Sequence, residues 1–222
     1  VNPISGTSGK KFVLRLIDEY LDKSLYDYEV VKTERTGHAT ELAKEAVERG
    51  ADIVCSIGGD GTVNEVASGL IHTNAALAII PSGSGNGLAR HLRIPTDPLS
   101  AIKVLNRGLV QSMDYGTVNG RPFFCTCGVG FDAFISQKFA ESGKRGPVSY
   151  MESVLNSSLS YHPETYDVEI VKNEGGEEIH QVHKEFLISC DNASQYGNNA
   201  YLAPSASVRD GIMDVTIIEP FT

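Results

Sequence analysis

The feature that most constrains this chain is a short string, Gly58-Gly59-Asp60-Gly61-Thr62, set directly after an apolar run. Residues 52–57 are rich in β-branched side chains and suit a buried parallel strand. Residues 63–70 predict a helix. A strand that turns through glycines into a helix belongs to a parallel sheet covered by helices, where ligands sit outside the carboxyl ends of the strands. Adjacent glycines let the backbone approach phosphate oxygens. The next helix offers unpaired N–H groups and a partial positive charge. A carboxylate at Asp60 is useful there with Mg²⁺ between it and the phosphates, or as a proton acceptor. The competing explanation is a glycine turn that only caps a helix. Thr62-Val63-Asn64-Glu65 also fits a capping box, so Glu65 has a structural explanation, bonding back to its own cap, beside a nucleotide-binding one.

The surrounding pattern agrees. Helices are expected over 10–21, 40–49, 88–92 and 97–106, and strands over 28–31 and 76–80. The alternation changes near Asp114. Strands over 115–118 and 121–126 flank Asn119-Gly120, a favoured hairpin turn. A helical stretch is expected over 134–159, followed by further strands over 164–172, 178–190 and 213–218. The expected organisation is an α/β domain over 1–113 and a mostly β domain over 114–222. Val1 opens onto a turn where a first strand is expected just before it, and Thr222 follows a strand, so the chain reads as an excised fragment.

A second loop, Pro81-Ser82-Gly83-Ser84-Gly85-Asn86-Gly87, repeats the strand–glycine–helix arrangement. Ser84 offers a hydroxyl to phosphate. Arg90, one turn into the next helix, is placed either to reach phosphate or to lie on the solvated surface. Asn2-Pro3-Ile4-Ser5-Gly6 makes a third turn at the same end of the sheet. The segment from Ser5 to Lys10 is no P-loop, because Ile4 stands where that pattern needs its first glycine.

Together these strings resemble one family. NPISG, IGGDGTVNEVASGL and IIPSGSGNGLAR, with CGVGFDA at 127–133 and SVRDGIMDV at 207–215, closely resemble the bacterial diacylglycerol-kinase-like lipid kinases, relatives of sphingosine and ceramide kinases. The GGDGT string is shared with phosphofructokinases and NAD kinases; the PSGSGN loop favours the lipid kinases. The resemblance implies a phosphofructokinase-like nucleotide-binding domain followed by a β-sandwich, with ATP in the cleft between. By motif, ATP would meet Asn2, Pro3, Ser5, Gly6, Thr33, Gly58, Gly59, Asp60, Gly61, Thr62, Asn64, Glu65, Gly83, Ser84 and Asn86. Asp132 and Arg90 are the candidates on the substrate side. A structural Mg²⁺ would take the Asp210 side chain and the carbonyls of Ser207 and Ile212; a plain turn at Asp210-Gly211 is the alternative. Bacterial relatives carry an acidic residue, proposed as general base, in a C-terminal segment beyond this chain's last residue. Asp60 is then the strongest acidic candidate for catalysis within the sequence, and Asp60→Asn is expected to abolish transfer and spare the fold.

The implied reaction moves the γ-phosphoryl group of ATP to a lipid hydroxyl, most readily that of diacylglycerol. A soluble-substrate kinase acting on NAD or a sugar phosphate is the second reading. A non-catalytic ATP-binding module is the third. Formal charge is −9, from 19 basic and 28 acidic residues, which argues against a nucleic-acid partner. No apolar run is long enough to span a bilayer. The four cysteines lack zinc spacing and fit free thiols in a reducing cytosol. The expectation is therefore a cytoplasmic protein that meets its lipid at the membrane surface. The sequence leaves a homodimer open.

Overall fold

A computed structural model describes residues 1–3, 9–142, 161–171 and 179–220. Its first part is an α/β layer. Helix α1 (Lys10–Tyr20) buries Val13 and Ile17 at i, i+4 spacing, and α2 (His38–Glu48) buries Ala39 and Ala43 in the same way. Strands β1 (Ile53–Gly58) and β2 (Ala76–Pro81) pair in parallel, from Ile53 opposite Ala76 to Gly58 opposite Pro81. Each strand is most buried at its carboxyl end. Helix α3 (Asp60–Leu70) leaves β1 and α4 (Gly87–His91) follows β2. In α5 (Pro98–Leu105), Asp97 caps the start by accepting from Ser100 N, and Pro98 occupies the first turn, where its missing N–H costs nothing.

The remainder is largely antiparallel. Strands β3 (Gly116–Val118) and β4 (Arg121–Phe123) form the expected hairpin. Asn119 and Gly120 both take positive φ, 50° and 73°, as a type I′ turn requires. Strand β5 (Thr126–Gly130) leads into α6 (Phe131–Ser142). Strands β6 (Glu164–Ile170) and β7 (Ile179–Glu185) pair with each other. Strand β8 (Leu187–Asp191) lies between β5 and β11 (Asp214–Ile218). Short strands β9 (Gln195–Gly197) and β10 (Ala200–Tyr201) close the set.

One apolar cluster crosses from the first part to the second. Val63 and Ala67 of α3, Ile79 of β2 and Leu88 of α4 pack with Phe124, Ala193 and Val208. This shared core fixes the glycine loops at the seam.

Four expectations need correction. Residues 28–31 run extended with no assigned strand ladder. Val1 lies beside them: its N–H group donates to Val31 O and its carbonyl accepts from Thr33 N. The single strand expected over 178–190 is two, broken at Phe186, whose N–H donates to Ile218 O and whose carbonyl accepts from Phe131 N. Helix α3 starts at Asp60, three residues before the expected 63, and passes through Gly61. Of the helix expected over 134–159, α6 supplies the part to Ser142, starting earlier at Phe131; residues 143–159 lie outside those described. The cysteines are free thiols, and burial pushes those of Cys55 and Cys125 up to about 12.

Candidate phosphate-binding site

The two glycine loops touch backbone to backbone. A Cβ on Gly83 would lie 2.4 Å from Gly59 Cα, and one on Gly59 would lie 3.0 Å from Gly83 Cα. Only glycine permits that approach. Ser82 N donates to Gly58 O at 2.7 Å, extending the register of β1 and β2 into the loops.

Asp60 joins the loops to α4. Its Oδ2 accepts from Asn86 N and its Oδ1 from Gly87 N, each at 2.7 Å. Asn86 has positive φ (56°) and folds its side chain back, accepting from Gly83 N and donating to Gly83 O, both at 2.9 Å. Burial pushes the Asp60 carboxyl above its usual range, and the bonds from Asn86 and Gly87 hold that rise back. The carboxylate expected among the phosphates is thus turned towards the start of α4.

The second loop therefore spends the N–H groups of Ser82, Gly83, Asn86 and Gly87 on protein acceptors. The first turn of α3 differs. Val63 N is the first to find an intrahelical carbonyl, that of Gly59. Gly61 and Thr62 lie before it, so their N–H groups have no helical partner. Beside them, Asn2 Nδ2 donates to Thr62 Oγ1 at 3.1 Å, and Asn2 N donates to Ile57 O. The half-buried Ser84 hydroxyl bonds to none of the described residues. Asn2, Gly58, Gly59, Gly61, Thr62, Gly83 and Ser84 are therefore brought together at this junction.

Other candidates fall elsewhere. Glu65 does not close a capping box, because α3 begins before Thr62. Its carboxylate instead accepts from Gly37 N at 2.9 Å and Ala39 N at 3.2 Å, capping α2. Asn64 turns towards Pro122 O. Arg90 braces Gly85 O at 3.0 Å and Asn199 Oδ1 at 3.2 Å. Thr33 borders a largely apolar cavity of about 270 Å³ beside β1, whose lining includes Ile17, Val30, Ile57 and Thr62. Ser5 and Gly6 lie outside the described residues, as does the side chain of Asp132.

Sequence reasoning missed Lys10. Its ammonium donates to the hydroxyl of Ser82 and to Ser82 O at 3.3 Å. The only signal was Gly9-Lys10 at the end of a glycine-rich turn, and the contact spans 72 residues.

The Ser207–Ile212 turn is separate from the loops. Ile212 N donates to Asp210 Oδ1 at 3.1 Å, and Gly211 N to Asp114 Oδ2 at 2.8 Å. Beside it lies an open cavity of about 420 Å³ bordered by Asp114, Asn192, Gly211 and Ile212. Asn192 is buried, and its Oδ1 has no hydrogen-bond partner among the described residues. An all-oxygen set with one exposed carboxylate and an unsatisfied buried oxygen nearby is chemistry that Mg²⁺ fits.

Residues 1–118 match the family model described as the diacylglycerol kinase catalytic domain. The chain belongs to the diacylglycerol kinase family. Residues 125–222 match the YegS C-terminal NAD kinase beta sandwich-like domain, in keeping with the expected fold. Among curated relatives, a probable lipid kinase YegS-like protein of Chromohalobacter salexigens is 32% identical over 192 residues, covering 84% of this chain and 60% of the relative. A diacylglycerol kinase of Bacillus subtilis is 30% identical over 223 residues, covering 98% of this chain and 72% of the relative. A crystal structure of a putative diacylglycerol kinase from Bacillus anthracis superposes with TM-score 0.80 at 25% identity, covering 98% of this chain and 73% of that one. The family is one of lipid kinases. Among the described residues, no helix is long and apolar enough to cross a membrane.

Proposed function

We propose that this chain binds ATP and supports transfer of its γ-phosphoryl group to the hydroxyl of diacylglycerol. One observation carries the reading: in the first turn of α3 the N–H groups of Gly61 and Thr62 have no helical partner, and they lie between two interlocked glycine loops. That is an anion site at a helix N-terminus, with the hydroxyls of Thr62 and Ser84 beside it. Phosphoryl transfer asks the protein mainly for positioning and charge neutralisation. As the lipid oxygen bonds to the γ-phosphorus, the bond to the ADP oxygen breaks and the hydroxyl proton passes to a carboxylate.

In this reading Asp60 organises the loops. Both its oxygens already hold N–H donors, which favours that role over proton acceptance. Mg²⁺ would be held structurally by Asp210 and the carbonyls of Ser207 and Ile212; when bound, it supplies a positive charge that ties the turn together. The lipid is met at a membrane surface by a cytoplasmic protein.

The test is mass spectrometry of products after incubation with Mg·ATP and diacylglycerol, phosphatidylglycerol or a long-chain base, with NAD and a sugar phosphate in parallel. Phosphatidic acid as the main product is the expected result. Phosphorylation of NAD or the sugar instead, or of nothing, refutes the proposal.

A further inference from the structure

Lys10 sits in an unusual electrostatic position. It opens α1, whose N-cap Gly9 supplies no side-chain acceptor and whose first turn holds no acidic residue. A cation there meets the positive end of the helix, which is unfavourable unless something negative joins them. The ammonium is half-buried and bonds two neutral oxygens, both of Ser82. No carboxylate among the described residues forms an ion pair with it. Partial burial of a charge without a counter-charge is costly, and a bound anion removes that cost.

Ser82 itself adjoins Gly83, the residue that touches Gly59. The lysine therefore stands at the same loop junction as the first turn of α3. It reaches there from a different element, on a side chain long enough to swing from Ser82 to a phosphate beside it.

We propose that Lys10 is a phosphate-anchoring residue, binding the polyphosphate of the nucleotide and exchanging its bonds to Ser82 for bonds to phosphate oxygens. This rests on the kinase reading above and adds a residue to it. Ser82 parks the ammonium in the absence of nucleotide. Discrimination of ATP from its nucleoside then depends on Lys10.

Calorimetric titration of the protein with Mg·ATP and, separately, with adenosine tests this, using wild type, Lys10→Met and Lys10→Arg. Loss of a charge-assisted contact predicts ATP affinity weaker by roughly tenfold or more in Lys10→Met. Adenosine affinity stays within about twofold, and Lys10→Arg restores most of the ATP affinity because it keeps the charge. The salt dependence of ATP binding also falls in Lys10→Met. Equal weakening for ATP and adenosine means that Lys10 only supports the fold, and overturns the inference. So does unchanged ATP affinity in Lys10→Met. If wild type binds no ATP, the kinase reading falls and this inference with it; if wild type binds ATP and Lys10→Met binds equally well, only this inference falls.

Discussion

Replacing Asp60 by Asn separates an organising role from a proton-accepting one. The carboxylate takes N–H bonds from Asn86 and Gly87, both at 2.7 Å. An amide of the same shape keeps one acceptor oxygen and turns an NH₂ group towards the other N–H. One charge-assisted bond is lost, worth about 1.5–3 kcal/mol, and a buried N–H is left unpaired at a further cost of about 1–3 kcal/mol. Part of this is returned, because burial already works against the charged carboxyl. The net expectation is a loss of about 2–4 kcal/mol, or about 5–15 °C in Tm for a chain of this size. The sign of the pH dependence follows from the raised carboxyl. The folded state binds this proton at higher pH than the unfolded state does, so the Asp60 contribution to stability falls as pH rises from the unfolded value of 3.8 through the folded one. That slope disappears in Asp60→Asn. Thermal unfolding across pH 3–8, with ATP titration at pH 7, reads all of this. The organising role predicts that Tm, ATP affinity and transfer fall together. Unchanged Tm and ATP affinity with abolished transfer would refute it and restore the catalytic role expected from the sequence.

Three further outcomes follow from the same geometry. Glu65→Ala removes both side-chain acceptors at the start of α2, costing about 1–2 kcal/mol in chemical denaturation; if Glu65 acts through α2 alone, ATP affinity changes less than threefold. Gly83→Ala drives a Cβ to 2.4 Å from Gly59 Cα, so the loops must part; ATP binding measured by calorimetry is lost even where circular dichroism shows a folded chain. His91 accepts from Ser194 N at 3.0 Å through Nδ1, and burial lowers its basicity. Its stabilisation is present above the unfolded value near 6.5 and is lost as pH falls through the folded one, a slope that His91→Gln removes from unfolding curves.

The parts of the site legible in the sequence were those set by local backbone needs. A β-branched run followed by glycines and a helix has few ways to fold, so both loops were identified together with the strands that carry them. Asn119-Gly120 worked for the same reason, since both residues tolerate positive φ. Glu65 shows where local reasoning stops. The capping box rests on the Thr62-Val63-Asn64-Glu65 spacing, which puts the helix start after Thr62. Packing of Val63, Val66 and Ala67 carries α3 back to Asp60, and Glu65 is left facing α2 across 26 and 28 positions of sequence. Lys10 and Ser82 are further apart still, and no periodicity connects them.

Asp60 brings these levels together. Its place within the Gly58–Thr62 string made it look like a reacting group. Yet its carboxylate ties the start of α3 to the start of α4 by hydrogen bonds, and α4 in turn packs through Leu88 against Phe124, Ala193 and Val208. His91, at the end of α4, continues the connection to Ser194. A change at Asp60 thus has a continuous bonded route through α4 to Ser194, in the second half of the chain. Coupling along it is measurable: in a double-mutant cycle, Asp60→Asn and His91→Gln should depart from additivity by about 0.5 kcal/mol or more, whereas strict additivity would mean that α4 does not transmit the change.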